Sequence, residues 1–253
     1  MLTAKDIKSQ SHRMAQTLRD ILAEFVGKPP GDIDIVIIHL RRAVEREENI
    51  KKLLEACGTS MTIFPAIDGS ESNHPSACAT EPGKIRTKGE IGCLLSHVAV
   101  ARKALDEGKS HIMVFEDDCI PVSDFSLEMV SNYLSSIKNT VEDFDIEGTK
   151  DFLLLGTCGC YNWRYITAGV NATNKFNGSH CYLIGRTMME KLVGSYEYIT
   201  KKGFLVPVDG LLGFLLKAQT RWALCPENDS ALFIQNRAIP SYILGDGETL
   251  REE

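Results

Sequence analysis

A chain of 253 residues, 43% hydrophobic and 25% charged, is long enough to bury a full core and is ordinary in composition for a globular protein. Its net charge of -6 argues against a nucleic-acid polyanion as the main partner, because that affinity rests on clustered Lys and Arg. No segment is apolar long enough to cross a membrane, and the opening Met-Leu-Thr-Ala-Lys-Asp-Ile-Lys lacks the apolar core of a signal peptide, so a cytoplasmic location is expected.

Residues 1–26 carry Met14, Leu18, Ile21, Leu22 and Phe25 at helical spacing, and Gly27-Lys-Pro-Pro-Gly-Asp ends the pattern. This predicts a helical appendage and linker over 1–30, a main domain over 31–245 and a charged, frayed tail over 246–253. Packing on the core is the default use of the apolar stripe, and pairing with a second copy or a partner is the alternative. Ile33 to Leu40 reads as a strand apolar enough to lie inside a parallel sheet covered on both faces. A helix with Ile50, Leu53, Leu54 and Cys57 on one face and Gly58 at its end follows, and then a strand from Met61 to Ile67, so the main domain opens with a βαβ unit. Residues 70–88 read as a polar loop, and a helix runs from Gly89 to about Glu107.

His111 to Phe115 is a buried strand that ends abruptly in Glu116, Asp117 and Asp118. Beyond it, Ser123 or Asp124 caps a helix carrying Leu127, Val130, Leu134 and Ile137, and residues 139–151 form a loop. Phe152 to Gly156 is a further strand, while Thr157 to Gly178 shows only weak periodicity. A strand over 180–185 leads into a helix opened by Thr187-Met-Met-Glu190 as a capping box. Asp209 is placed as the N-cap of a short apolar helix, and strands are expected at Arg221–Cys225 and Ala231–Gln235. The eight cysteines show no C-x-x-C pair and read as reduced, buried thiols. The glycosylation-type triplets at Asn171, Asn177 and Asn228 are expected to be chance matches.

The acidic strand tip is the centre of the functional reading. Three adjacent carboxylates raise one another's pKa unless a cation or a set of donors stabilises them, and ligands of open α/β sheets bind beyond the carboxyl ends of strands. A divalent metal and an anionic ligand are therefore expected there, against the plainer reading of a solvated acidic turn.

Four separated pieces fall into one pattern: Ile38-His-Leu-Arg-Arg with Arg46, Ala66-Ile-Asp-Gly69, Gly89-Glu-Ile-Gly-Cys-Leu-Leu-Ser-His97, and Phe115-Glu-Asp-Asp118. In this order they resemble glycosyltransferase family 25, the lipooligosaccharide and procollagen galactosyltransferase group. The resemblance covers most of residues 33–236, with His180 and Asp209 at matching later positions. It implies an α/β fold of the GT-A nucleotide-diphosphosugar type, a mixed, mostly parallel sheet flanked by helices. It also implies a divalent metal, commonly Mn2+ with Mg2+ as the other choice, and transfer of a sugar, often galactose from UDP-galactose, to a glycan, lipid-linked or protein acceptor, as in lipopolysaccharide biosynthesis. The chain departs from the family at His39, where Asn is usual, and in residues 1–26, which have no counterpart.

Under this reading Asp118 is a metal ligand and His180 a second, each with the alternative of ordinary core or turn hydrogen bonding. Asp117 and Glu116 contact the ribose or the metal through water. Leu40, Arg42, Arg46, Asp68, Gly69, Ser96 and His97 line the donor site, with Arg42 and Arg46 open instead to solvated ion pairs and Asp68-Gly69 to a tight turn. Asp209 is the candidate base for an inverting displacement, or a helix cap. Tyr161, Trp163, Tyr165 and Phe176 offer an acceptor platform, or loop packing. Cys93 and His97 at i,i+4 could be half of a zinc pair, but the spacing supplies no second half, which favours a buried thiol. A metal-dependent phosphate-ester or diphosphate hydrolase and a non-catalytic nucleotide-sugar binding module are the rival functions.

Overall fold

The computed structural model describes residues 16–71, 87–140, 151–161, 164–219, 222–227 and 231–239. Trp163, Arg221 and Asn228, most of the 1–26 and 70–88 segments, residues 141–150 and the tail lie outside the described residues.

The βαβ unit is present as β1 (Ile33–His39), α2 (Glu47–Cys57) and β2 (Thr62–Pro65), with β1 and β2 parallel and Gly58 ending α2 in the left-handed region. It is preceded by α1 (Leu18–Val26), which Thr17 and Asp20 close with a reciprocal capping box and Gly27 ends at φ 69°. After β2 come α3 (Lys88–Asp106) and β3 (His111–Glu116), which pairs parallel with β1 on its other side. The chain continues through β4 (Cys119–Pro121), α4 (Leu127–Thr140) and β5 (Phe152–Gly156). Four short strands follow: β6 (Gly159–Tyr161), β7 (Arg164–Thr167), β8 (Val170–Thr173) and β9 (Lys175–Asn177). The last elements are β10 (Cys181–Gly185), α5 (Arg186–Lys201), α6 (Val208–Ala218), β11 (Ala223–Pro226) and β12 (Phe233–Gln235).

The main sheet has eight strands in the order β2-β1-β3-β10-β5-β11-β8-β7. Only β10 and β8 run against the rest, so the carboxyl ends of β1, β3 and β5 and the start of β10 share one edge. The architecture is the mixed, mostly parallel α/β sheet expected from the sequence.

Alternation along the strands sends side chains to two cores. Ile33, Ile35, Ile37, Met113 and Phe115 pack under α1, α2 and α4, whereas Val36, Ile38, Ile112 and Val114 pack under α3, α5 and α6. Glu116 continues the second set, so its side chain starts on the α3 side of the sheet. The apolar stripe of α1 lies in the first core, with Leu18, Ile21, Leu22 and Phe25 buried against α4 and β1. That leaves residues 18–26 with no apolar stripe to offer a second copy.

Some local expectations are corrected. Strand β10 runs directly into α5, so Thr187 is already helical, Gly185 holds the N-cap position and no side chain caps this end. Helix α6 starts at Val208 after Pro207, which puts Asp209 inside the first turn instead of at the cap. At the start of α4 the Ser126 hydroxyl accepts from the Met129 N–H at 3.3 Å, a role expected of Ser123 or Asp124. The stretch after Gly156 is a set of hairpins. β7 and β8 extend the main sheet, and β6 pairs with β9 in a separate ribbon. Among the described residues no helix is long and apolar enough to cross a membrane.

Candidate active site

The three acids at the end of β3 have three different environments. Asp117 is buried, and both its oxygens are occupied. Oδ2 accepts from the Leu40 N–H at 3.0 Å and lies 2.9 Å from His39 Nδ1, and Oδ1 meets Arg46 Nη1 at 2.5 Å. The Asp117 carbonyl accepts from Asn49 Nδ2 at 3.2 Å. Asp117 therefore ties the end of β1 and the start of α2 to the end of β3. Arg46 is itself only 6% exposed and also reaches Asp118 Oδ2 at 3.5 Å. Burial acts to lower its pKa, but the charges of Asp117 and Asp118 outweigh that and hold it above the ordinary value.

Asp118 Oδ2 accepts from Gln235 Nε2 at 3.0 Å, while Oδ1 is buried with no hydrogen-bond partner among the described residues. Burial, reinforced by the nearby Glu116 charge and only partly offset by Arg46, pushes this carboxyl up to about 7. Gln235 Oε1 in turn accepts from Cys158 Sγ at 2.9 Å, and that sulfur is 3.9 Å from His180 Nδ1. His180 Nε2 is also buried without a well-formed hydrogen bond, against Gly156, where a Cβ would come within 2.6 Å of it. Burial holds the His180 imidazole below its ordinary pKa, which favours the neutral, ligand-competent ring.

Glu116 faces α3 as the alternation requires. Its Oε1 lies 3.3 Å from His97 Nε2 and accepts from the Ser179 hydroxyl at 3.4 Å, and His97 Nδ1 bonds the Tyr182 hydroxyl at 2.7 Å. Burial acts to raise the Glu116 pKa, but the bond to His97 and the nearby positive charge, that of Arg46 included, hold it below the usual value.

Of these groups Arg46, His97, Glu116 and Asp117 border a cavity of about 320 Å³; Asp118 and His180 are not among its lining residues. All nine residues assigned to the donor site line it: Leu40, Arg42 and Arg46 after β1, Asp68 and Gly69 after β2, Ser96 and His97 on α3, and Glu116 and Asp117 after β3. The loop after β2 is held against the start of α3 by backbone contact. A Cβ on Gly69 would meet the Lys88 carbonyl oxygen at 1.6 Å, and one on Gly92 the Ile67 carbonyl oxygen at 2.5 Å. Ser96 Oγ donates to the Gly92 carbonyl and accepts from the Ile67 N–H, fixing the same junction. Gly69 thus serves close approach to a helix while also lining the cavity. On the cavity wall Arg42 Nε donates to Asp68 Oδ2 at 2.6 Å, and that bond holds Asp68 at about 2. Asp209 accepts from the Gly178 and Gly210 N–H groups at 3.0 and 2.7 Å. Burial raises its pKa against those two bonds.

A model of glycosyltransferase family 25, described as an LPS biosynthesis protein, matches residues 32–212. The chain belongs to this family. It is 27% identical over 145 residues to the human inactive glycosyltransferase 25 family member 3, covering 51% of this chain and 23% of the relative. It is 29% identical over 119 residues to an Aedes aegypti glycosyltransferase 25 family member, covering 41% and 20%. The chain therefore spans about a quarter of the length of such relatives. Among solved structures, A197 from STIV aligns with a TM-score of 0.39 at 11% identity, over 87% of this chain and 97% of that one.

In this family 25 chain the residues assigned to donor binding come together around the cavity, whereas Asp118 and His180 are not among its lining residues; among the described residues Asp118 Oδ1 and His180 Nε2 are buried without a well-formed hydrogen bond. A buried carboxylate oxygen with no partner among the described residues fits a divalent cation as a donor, and the neutral His180 imidazole, with a poorly formed bond to the Phe233 backbone, is a second candidate. Gln235, Asn49, Ser179 and Tyr182 also shape the site. Their long-range pairings leave no mark in local sequence, and the one local signal for the side Glu116 takes is the alternation of side chains along a strand.

Proposed function

We propose that the protein is a metal-dependent glycosyltransferase that moves a sugar, galactose first among the candidates, from a UDP-sugar to a hydroxyl of a glycan, lipid-linked or protein acceptor, with inversion. The observation that carries this reading is the cavity that gathers the ends of β1, β2 and β3, with Asp117 in its wall and the next residue, Asp118, buried with no partner on Oδ1 among the described residues. Asp118 and His180 are assigned to hold Mn2+ or Mg2+, which when bound supplies neutralisation of the charge that grows on the departing diphosphate. Arg42 is assigned to the same phosphates, releasing Asp68 to the ribose or sugar hydroxyls. Arg46 and Asp117 set the position and charge of the acidic tip. Asp209, its carboxylate made more basic by burial, is assigned to take the acceptor hydroxyl proton. A cytoplasmic location goes with this reading.

The test is a screen of nucleotide sugars with Mn2+, reading thermal shift and donor hydrolysis, repeated with Asp118→Ala. A donor that stabilises the wild type in a metal-dependent way, with the shift lost in the variant, supports the assignment. No donor response, or one indifferent to the substitution, sinks it. The human relative is named as an inactive family member, which favours one second reading, a binding module without turnover. Donor binding with neither hydrolysis nor transfer to any acceptor would select that reading. Fast nucleotide release that no acceptor diverts would select a hydrolase.

A further inference from the structure

Cys93, His97 and Glu116 meet at the back of the cavity. Cys93 and His97 are one turn apart on α3, and Glu116 reaches them from the end of β3. Their candidate ligand atoms all lie within 4.8 Å of one another, and His97 Nε2 is 3.3 Å from Glu116 Oε1. Tetrahedral zinc with bonds of about 2.0–2.3 Å requires ligand atoms roughly 3.3–3.6 Å apart, so the nitrogen and oxygen already stand at the right separation and only the thiol has to draw in. All three residues line the cavity.

Two further observations point the same way. The Tyr182 hydroxyl, 2.7 Å from His97 Nδ1, fixes the ring so that Nε2 faces Glu116, the outer-sphere support that metal-bound histidines usually have. The surroundings are anionic: Asp209, Asp118 and Glu90 all place negative charge near Cys93, in addition to Glu116 itself. We propose that Cys93, His97 and Glu116 form a three-ligand site for a borderline-soft divalent ion of the zinc class, open to the cavity and separate from the oxygen-rich position at Asp118. A thiolate beside an imidazole selects zinc or cobalt over magnesium, whereas the carboxylate position at Asp118 has no such preference. The inference does not depend on the identity of the donor.

The test uses the full chain, stripped of metal with a chelator and titrated with Co2+ in the absence of any nucleotide. The expected result is one equivalent of tetrahedral cobalt with a thiolate-to-metal charge-transfer band. Cys93→Ser should remove that band, and His97→Ala should weaken binding at least tenfold. Asp118→Asn should leave the band in place, which separates this site from the proposed transferase metal. Absence of the band in the wild type overturns the proposal, as does a band that survives Cys93→Ser and disappears in Cys158→Ser. Because α3 is central to the fold, a second readout needs no variant. Alkylation of Cys93, followed by mass spectrometry, should slow at least tenfold when Zn2+ is added, and an unchanged rate overturns the proposal equally.

Discussion

Arg46 and Asp117 are buried face to face, with Nη1 2.5 Å from Oδ1, and they join the start of α2 to the end of β3. The same carboxylate holds the Leu40 N–H and His39, so removing it takes the nearer of two carboxylates from a buried guanidinium and unpairs a backbone donor together. Breaking a buried pair from one side costs about 3–5 kcal/mol. Asp117→Ala should therefore lower the melting temperature by at least about 6 °C for a chain of this size, with or without metal. Arg46→Lys should recover little of the native stability, because a point-charge ammonium does not replace a guanidinium that reaches two carboxylates. A Lys variant as stable as the wild type would contradict this account.

Asp118 makes metal binding and stability depend on pH. Its folded pKa of about 7 lies above the ordinary 3.8, so between those values the folded chain holds a proton that the unfolded chain has released. The stability contributed by this group is full below about pH 4 and is lost as the pH rises through about 7. A divalent ion reverses the cost by pairing with the ionised form. Thermal scans should then show a larger Mn2+-induced stabilisation at pH 8 than at pH 6. Asp118→Asn should raise the metal-free melting temperature at pH 8 and abolish the Mn2+ response. An equal Mn2+ effect at both pH values would remove Asp118 from the metal site.

What could be read from the chain follows from how local each feature is. The apolar runs at 33–39, 111–116, 152–156 and 181–185 announce strands because each is buried on both faces and bounded by Gly, Pro or acids. Their order could not be read, since β10 inserts antiparallel between β3 and β5 through contacts far apart in sequence. Strands β6 to β9 hold only three or four residues each, too few for a period to stand out. Leu40, Glu116 and Asp117 were legible because they sit at the ends of those readable strands, whereas Arg42, Arg46, Asp68, Gly69, Ser96 and His97 were assigned through the family resemblance. The partners that decide their chemistry were not legible: Gln235 on Asp118, Tyr182 on His97 and Asn49 under Asp117 arrive from distant elements.

The junction between the β2 loop and α3 should be intolerant of a single methyl group. A Cβ at position 92 would stand 2.5 Å from the Ile67 carbonyl oxygen and 2.7 Å from the Gly69 nitrogen, both backbone atoms that cannot rotate away. Gly92→Ala should cost about 1–3 kcal/mol and weaken donor binding by displacing Asp68. Gly194→Ala, on the exposed side of α5 with nothing within 4 Å, is the matched control and should be neutral or stabilising by up to about 1 kcal/mol. Equal melting temperatures for the two variants would refute the packing argument.

Asp209 offers the sharpest separation of chemistry from binding. It lies in the first turn of α6, outside the set of residues lining the donor cavity, and its oxygens each accept one backbone N–H, which leaves lone pairs for a substrate proton. Asparagine keeps the size and one accepting oxygen but cannot take a proton, so Asp209→Asn should preserve the fold and the donor Kd within about twofold. Loss of a general base should lower kcat for transfer by about 100- to 10,000-fold with KM for the donor little changed. The pH profile of wild-type kcat/KM should show an acidic limb above the ordinary carboxylate range, since burial raises this group, and that limb should vanish in the variant. If transfer proceeds at the wild-type rate in Asp209→Asn, the carboxylate only anchors Gly178 and the first turn of α6, and the base must be sought elsewhere around the cavity.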